Sequence, residues 1–240
     1  MRFVSDGLTD IGRVRKENQD AFLIHEEEGF FAVADGMGGL LRGAMASEFT
    51  LFGLHRLLME KEISEELNEG KTEAVIKEVI SELSDLLKRE IGDHAGSTLV
   101  VALARGENVY VAHLGDSRAY ILRGGRLERL MKDHNMASLL LDAGEITSEE
   151  AWHHPMRNVL TRYVGMEHAS PEIKTISSEA GDRLLLCTDG LTSMLPDNEI
   201  ARVLVELDEH SAALKELITR AIEAGGEDNI TALIVDCVDK

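Results

Sequence analysis

Four aspartates stand at the ends of apolar stretches, and each is next to a glycine or an asparagine. They are Asp35, Asp116, Asp189 and Asp228. Each one alone fits a tight turn, because aspartate and glycine are ordinary turn residues. If the stretches are strands in facing sheets, their terminal carboxylates converge, and like charges within about 4 to 6 Å of one another take up protons unless cations lie between them. The set therefore predicts a site for Mg²⁺ or Mn²⁺ built from oxygen ligands.

The stretch FFAVADGMGG, residues 30–39, carries almost no side chains after Asp35. Glycines there allow a backbone carbonyl to approach a metal directly and leave space for the water shell that Mg²⁺ retains. A loop that cradles a nucleotide phosphate is disfavoured, because the sequence has no GxxxxGK(S/T) motif. The sequence also lacks CxxC pairs and HExxH, so nothing in it supports a structural or protease-type zinc site.

A second polar group precedes the first predicted strand, in GRVRKENQDAF at residues 12–22. A planar guanidinium such as that of Arg15 binds phosphate oxygens bidentately, and an acid such as Asp20 can hold water beside a metal. The same residues also fit a solvated charged turn. The sequence alone leaves both interpretations open for Arg15.

The cysteines and histidines of the sequence could in principle act in catalysis. We interpret them as structural or assign them no role. Cys187 and Cys237 lie in apolar runs, where a thiol behaves as a small buried hydrophobe, as is typical of a reducing compartment. His153 and His154 fit an exposed polar loop better than a metal pair. His113 lies on a predicted strand whose alternation leaves its face undecided, and we assign it no role.

Short apolar runs joined by hairpin-sized connections predict an antiparallel meander. The predicted strands cover residues 20–25, 30–34, 97–104, 108–114 and 118–123, with later strands before Asp189 and at 229–238. Helical periodicity occurs at 43–61, 71–91 and 211–226. Because helices and strands come in blocks and do not alternate strictly, the pattern favours an α+β fold over a doubly wound parallel sheet.

Two of these helices have a predicted buried stripe. In the first, the stripe consists of Met45, Phe49, Phe52 and Leu57; in the second, of Val75, Val79, Leu83, Leu86 and Ile91. Residues 134–165 interrupt the strand pattern with a helical piece and a polar loop, which predicts an insertion lying over another part of the fold. We see no linker or internal repeat, so the whole chain, 1–240, is predicted to be one domain.

Composition excludes several classes of protein. The formal net charge of −19 would repel a nucleic-acid backbone, so we expect no nucleic-acid binding. The sequence has neither a signal-peptide pattern nor a run of about 18 apolar residues, so we expect no membrane association and a cytoplasmic location. We also expect a monomer.

Nine motifs in order along the chain closely resemble the metal-dependent serine/threonine protein phosphatases of the 2C type, in their compact bacterial form. They are RKENQD (15–20), FFAVADGMGG (30–39), GSTLVVAL (96–103), VAHLGDSRAYILR (111–123), KDHN (132–135), GEIT (144–147), HPMRNVLTRYVG (154–165), LLLCTDGL (184–191) and EDNITALIV (227–235). The resemblance spans residues 12–236. It implies a sandwich of two antiparallel β-sheets flanked by helix pairs, with a two-metal centre at one end.

The resemblance also implies a role for each matching residue. Asp35 would bridge two Mn²⁺ or Mg²⁺ ions, and the Gly36 carbonyl would bind one of them; Asp189 and Asp228 would complete the other site. Asp116, with Asp189, would hold a weaker third metal. Arg15 would bind the substrate phosphate, Asp20 would hold metal waters, and residues 134–165 would form a flap beside the active site.

The implied reaction is hydrolysis of phosphoserine or phosphothreonine in proteins phosphorylated by a serine/threonine kinase, by attack of a water that bridges the two metals. Two positions depart from the family pattern: Met37 stands where many members carry a histidine that protonates the leaving alcohol, and Gln19 stands where many carry glutamate. Two alternatives remain: a non-catalytic module that binds phosphoproteins or senses metal, and a metal phosphohydrolase acting on small molecules.

Overall fold

The computed structural model describes residues 1–61 and 69–239. The strands are β1 (Arg2–Asp10), β2 (Asp20–His25), β3 (Phe30–Met37), β4 (Gly96–Ser97), β5 (Leu99–Arg105), β6 (Asn108–Leu114), β7 (Arg118–Arg123), β8 (Arg126–Arg129), β9 (Glu172–Ser177), β10 (Arg183–Cys187) and β11 (Ile230–Val238). The helices are α1 (Leu40–Glu60), α2 (Glu69–Ile91), α3 (Met136–Asp142), α4 (Ser148–Trp152), α5 (Asp189–Thr192), α6 (Asp197–Glu206) and α7 (His210–Glu223).

Two antiparallel sheets form the centre of the fold. The first has the order β1-β11-β10-β7-β8, and the second has the order β2-β3-β5-β6-β9, with β4 paired to β3. Side-chain alternation along each strand supplies two apolar faces. In β3, Phe31 and Val33 pack between the sheets, whereas Phe30, Ala32 and Ala34 pack under α1 and α2.

The first sheet is arranged in the same way. Leu184 and Leu186 of β10 face the second sheet, while Leu185 and Cys187 pack against α6 and α7. The molecule is therefore a sandwich of two antiparallel sheets with a helix pair on each outer side. The predicted α+β fold class is confirmed.

The buried face of α1 differs from the predicted stripe. Met45 and Phe52 are 54% and 60% exposed, and the buried face carries Leu51, Leu54 and Leu58. Leu57 is buried and Phe49 packs against the core as predicted, but the prediction was wrong at Met45 and Phe52. The same face also buries polar side chains, among them Ser47 and Thr50, which a search for apolar periodicity passes over. On α2, the predicted Val79 and Leu83 are fully buried.

Among the described residues, five elements have no counterpart among the predicted ones: β1, β8, β9, α5 and α6. The pairing of β1 with β11 runs without a break from Arg2↔Val238 to Asp10↔Ile230. The sequence of β1 contains Asp6 and Gly7, which are depleted in strands, so its pattern is weak. Strand β1 is formed by pairing with β11 more than by its own propensity.

Residues 134–165 contain α3, α4 and loops, as the sequence indicates. An antiparallel bridge between Asn135 and Leu160 joins the two ends of this segment to each other, and one between Ser97 and Val164 attaches its C-terminal end to β4. At its N-terminal end, His134 N–H donates to the carbonyl of Gly115, which follows β6. No helix within the described ranges is long and apolar enough to cross a membrane.

Leu54 and Phe52 test which face of α1 is buried. Leu54→Ala is expected to lower the free energy of unfolding by about 2 to 5 kcal/mol, because it removes buried contacts and leaves a cavity. Phe52→Ala is expected to change it by at most about 0.5 kcal/mol, because the ring is mostly in solvent. Urea denaturation followed by circular dichroism measures both. A larger loss for Phe52→Ala would contradict the assigned face.

Candidate metal centre

Strand pairing places Asp35 and Asp20 side by side. The register of β2 and β3 sets these two residues opposite each other. Thr98 fixes the backbone of Asp35 on the other side: Asp35 N–H donates to Thr98 Oγ1 at 2.9 Å, and Thr98 N–H donates to the Asp35 carbonyl at 2.8 Å. Asp35 is therefore held from both edges of its strand.

Asp20 is oriented by two buried threonines of the first sheet. Its Oδ2 accepts hydrogen bonds from Thr188 Oγ1 at 2.8 Å and from Thr231 Oγ1 at 2.7 Å. Thr188 immediately precedes Asp189, and Thr231 lies near the start of β11. Asp20 thus joins the two sheets at the edge where the aspartates gather. Sequence analysis did not identify either threonine.

Gly36 is required by a close contact with α1. A Cβ at this position would lie 1.9 Å from the carbonyl oxygen of Gly43, and Gly36 N–H donates to the Gln19 carbonyl at 3.0 Å. The sequence interpretation attributed the missing side chain to space for water and ions. The structure adds a packing reason, since any side chain at Gly36 would displace the helix.

Asp116 lies in the tight turn between β6 and β7 and is almost fully buried. The preceding Gly115 has φ of +108°, and a Cβ there would lie 2.6 Å from Thr98 Cγ2. Ser117, which follows, shares a 2.6 Å hydrogen bond with Thr98 Oγ1. The turn is therefore fixed to the same threonine that holds Asp35.

Asn229 fastens the loop that carries Arg15. Its Oδ1 accepts from Gln19 N–H at 2.8 Å, and its Nδ2 donates to the carbonyls of Ile11 and Glu17 at 2.9 Å each. In the sequence, Asn229 stands out only as the asparagine beside Asp228 at the start of a predicted strand. That place was the signal available, because an amide that is buried at a strand end must find several hydrogen-bond partners.

Arg15 contacts a predicted metal ligand directly. Its Nη2 donates to Asp228 Oδ2 at 2.6 Å, and its side chain is half exposed. The guanidinium therefore lies at the edge of the carboxylate group, open to solvent on its other side. This position is consistent with the predicted contact to a phosphate.

The carboxylates act on one another electrostatically. Burial raises the pKa of Asp35 well above its usual range, and the charges of Asp20, Asp189, Asp116 and Asp228 raise it further. Burial, followed by the charge of Asp189, also raises the pKa of Asp116 well above its usual range. The five predicted carboxylates therefore converge at one edge of the sandwich.

The pKa values of two further carboxyl groups of this set are also raised. Burial raises the pKa of Asp189 to about 6, with an added contribution from Asp228. Burial raises the pKa of Asp20 to about 7, although the hydrogen bonds from Thr231 and Thr188 act in the opposite direction. Each shift reflects buried anionic oxygens that repel one another, and the charges of Arg118 and Arg157 offset only part of the shift at Asp189.

Asp189 supplies the observation that best tests the fit to cations. Its Oδ1 is buried and accepts no hydrogen bond from any residue that the structure describes. A buried acceptor without a donor is costly, by about 1 to 3 kcal/mol. An oxygen left free beside other carboxylates fits a cation ligand, and hard divalent ions prefer such oxygens. The residues present therefore fit a divalent-cation centre.

A cavity of about 390 Å³ adjoins this centre. It is lined by Asp116 and Asp189 on one side and by Trp152 and Arg157 of the 134–165 segment on another. Arg157 Nη1 donates to the Trp152 carbonyl at 2.9 Å, which fixes the two flap residues together. The segment thus borders the carboxylates, as its predicted position as a flap requires.

The chain was compared with known proteins. The family model of protein phosphatase 2C matches residues 13–233. The serine/threonine phosphatase stp of Listeria monocytogenes serovar 1/2a is 37% identical over 244 residues, covering 95% of this chain and 93% of that protein.

Solved structures give the same result. The crystal structure of the Mycobacterium tuberculosis serine/threonine phosphatase PstP/Ppp matches with a TM-score of 0.87 and 32% identity, covering 100% of both chains. The catalytic domain of a PstP in complex with 2 manganese ions matches with a TM-score of 0.84 and 31% identity, covering 99% of both chains. With its fold, its converging carboxylates and these relatives in agreement, the chain belongs to the protein phosphatase 2C family that its nine motifs indicate.

Proposed function

We propose that the chain removes phosphate from phosphoserine and phosphothreonine of proteins, using two divalent cations held by the converging carboxylates. The observation that carries this is the buried carboxylate set itself, with the free Oδ1 of Asp189 at its centre. Family membership supports this reaction, because the relatives of the chain are serine/threonine phosphatases. The complex of PstP with manganese supports the type of metal.

The ligand roles follow the family motifs. Asp35 would contact both cations and the Gly36 carbonyl one of them, with Asp189 and Asp228 completing the second site. Asp116 and Asp189 would share a weaker third cation. The ions, Mn²⁺ or Mg²⁺, supply an activated water and neutralise the phosphate oxygens when bound.

The remaining chemistry falls to side chains of this chain. Arg15 presents its guanidinium to the phosphate from the solvent-exposed side and holds Asp228 through the same group. Asp20, oriented by Thr188 and Thr231, accepts and holds water protons inside the site. Met37 has no exchangeable proton, so the leaving alcohol takes its proton from water.

The finer assignments of partner and location are also proposals. Substrates would be products of a serine/threonine kinase, and the enzyme would act as a cytoplasmic monomer. The two cysteines are buried and unpaired, which supports a reducing compartment. Residues 1–240 would form one phosphatase domain with 134–165 as its flap. A non-catalytic module is not favoured, because every aspartate of the family set is present.

Asp35→Asn and Asp189→Asn test the metal assignment. Each replacement removes a negative charge from the cation site, so hydrolysis of a phosphothreonine peptide is expected to fall at least about a hundredfold. EDTA should abolish the wild-type activity, and Mn²⁺ or Mg²⁺ should restore it. Asp85→Asn on the exposed face of α2 is the matched control. Full activity of folded Asp189→Asn would rule out its role as a ligand.

Arg15 is tested by replacement with lysine and with alanine. We expect Arg15→Ala to raise KM for a phosphothreonine peptide about ten- to a hundredfold. Arg15→Lys should recover only part of the loss, because an ammonium cannot bind two oxygens in a planar fork. Arg13→Ala is the control, since Arg13 is exposed and is fixed through its backbone to Gly226. Equal KM values for all variants would exclude phosphate binding by Arg15.

The raised pKa of Asp20 predicts how the stability of the metal-free protein depends on pH. Its folded pKa of about 7 lies above the ordinary value of 3.8, so the folded state binds the proton more tightly than the unfolded state. Stability in EDTA is therefore expected to fall as the pH rises from about 4 to about 7. Asp20→Asn should remove about 2 to 4 kcal/mol of this loss.

Urea denaturation at several pH values in EDTA measures the effect. Asp85→Asn, which alters an exposed aspartate, should keep the wild-type slope. Added Mn²⁺ should flatten the wild-type curve at neutral pH, because cations replace the protons. An Asp20→Asn protein with the same slope as the wild type would show that the buried charge of Asp20 is not its source.

A further inference from the structure

Two histidines and a glutamate form a polar cluster outside the carboxylate centre. His113 lies on β6, His134 lies two residues before α3, and Glu172 begins β9. The β6–β9 register sets His113 opposite Glu172. The rings of His113 and His134 have centroids 4.4 Å apart and an interplanar angle of 32°. Suitable donor atoms of all three residues lie within 4.8 Å of one another.

The histidines of this cluster are buried without adequate partners. His113 is 1% exposed and His134 is 7% exposed. Neither ring nitrogen of His113, and not Nε2 of His134, forms a well-aligned hydrogen bond within the described part of the chain, although Glu172 Oε2 lies 3.4 Å from His134 Nε2. Buried polar atoms are satisfied in the great majority of cases, so three such nitrogens in one place require an explanation.

Protonation of the two rings does not explain these nitrogens. Burial lowers the pKa of His113 to about 3. Burial, with the nearby charge of Arg162, also lowers the pKa of His134. Both rings are therefore neutral at pH 7 and keep a lone pair, which is the form in which imidazole binds metals.

The spacing between the donor atoms of His134 and Glu172 fits a tetrahedral ion, and the donor atom of His113 lies within 4.8 Å of both. His134 Nε2 and Glu172 Oε2 are 3.4 Å apart, too far for a good hydrogen bond. Metal bonds of about 2.0 to 2.1 Å in a tetrahedron place neighbouring ligand atoms about 3.3 Å apart. The Glu172 side chain is 44% exposed, so an ion can reach the cluster from solvent.

We propose that His113, His134 and Glu172 bind one transition-metal ion of the Zn²⁺ class, at a site separate from the carboxylate centre. Two imidazoles and one carboxylate are a ligand set suited to Zn²⁺, whereas Mg²⁺ prefers oxygen alone. A water would take the fourth position. The proposal does not depend on phosphatase activity.

Binding requires a small rearrangement of His134. Its Nδ1 lies 3.4 Å from the N–H of Gly115, a long contact in which the nitrogen accepts. When the ion binds at Nε2, the ring proton moves to Nδ1 and this contact is given up. The backbone of His134 stays fixed, because its N–H donates to the Gly115 carbonyl at 2.7 Å.

The ion would join three parts of the fold. His134 lies at the start of the flap, where its carbonyl accepts from Thr161 N–H at 2.8 Å. Its backbone bond to Gly115 reaches the turn that carries Asp116. An ion at this site would therefore fasten β6, β9 and the base of the flap to that turn.

A second histidine cluster within the described ranges must be kept from contributing to the test. His25, Glu28 and His55 also bring donor atoms together. There, His55 Nε2 contacts Glu28 Oε2 directly, so the space between the ligands is already closed. To remove any contribution from this cluster, all proteins in the test carry His55→Gln.

The experiment compares His134→Gln and Glu172→Gln with this parent, and His94→Gln, an exposed histidine, is the matched control. Zn²⁺ is titrated calorimetrically in excess Mg²⁺, and Cu²⁺-loaded protein is studied by electron paramagnetic resonance. Nitrogen splitting in the Cu²⁺ spectrum reports imidazole ligands, which the carboxylate centre lacks.

We expect both ligand variants to lose one Zn²⁺ site or to weaken it at least about tenfold, since even indirect partners of a metal ligand contribute that much. The two-nitrogen splitting of the parent should become one-nitrogen in His134→Gln and persist in His94→Gln. Unchanged Zn²⁺ binding in both variants, or a parent without nitrogen splitting, would overturn the proposal. If His134→Gln fails to fold, Glu172→Gln, altered at a half-exposed position, decides the question.

Discussion

The repulsion between buried carboxylates at one edge of the sandwich is the constraint on which the site depends. Burial and mutual repulsion raise the pKa of Asp35 and Asp116 well above their usual range. Such a group is unfavourable in the folded chain unless protons or cations enter it. The sheets, turns and threonines that hold these residues therefore keep a costly arrangement in place for cations. Stability and metal binding are linked through the same oxygens.

Neutral groups do most of the positioning. Thr98 holds both Asp35 and the turn beside Asp116, and Thr188 and Thr231 orient Asp20. Hydroxyl and amide groups can fix carboxylates without neutralising them, so the negative charge stays available to cations. An arginine or lysine at these positions would satisfy the same oxygens and compete with the metal. Arg15 pairs with Asp228 at the exposed edge, and the charges of Arg118 and Arg157 act on Asp189 from the side of the cavity.

Sequence motifs picked out aspartates that the structure brings together, because an aspartate at a strand end is a local feature that strand pairing preserves. They predicted Asn229 poorly, since its importance comes from contacts to residues far away along the chain. The predicted face of α1 was wrong at Met45 and Phe52, because tertiary packing buries Ser47 and Thr50 in their place. His113 could be assigned a face only when β6 was paired on both edges.

The amide of Asn229 bonds to a carbonyl 218 residues earlier in the chain, and β11 pairs along the full length of β1. During synthesis on a ribosome, the aspartates near the N-terminus leave the exit tunnel long before Asp228 and β11 are made. Until then the loop with Arg15 lacks its bonds to Asn229, and it keeps ties such as the bond from Asn18 Nδ2 to Thr9 Oγ1 of β1. A growing polypeptide would therefore complete its phosphatase site only when β11 has been made.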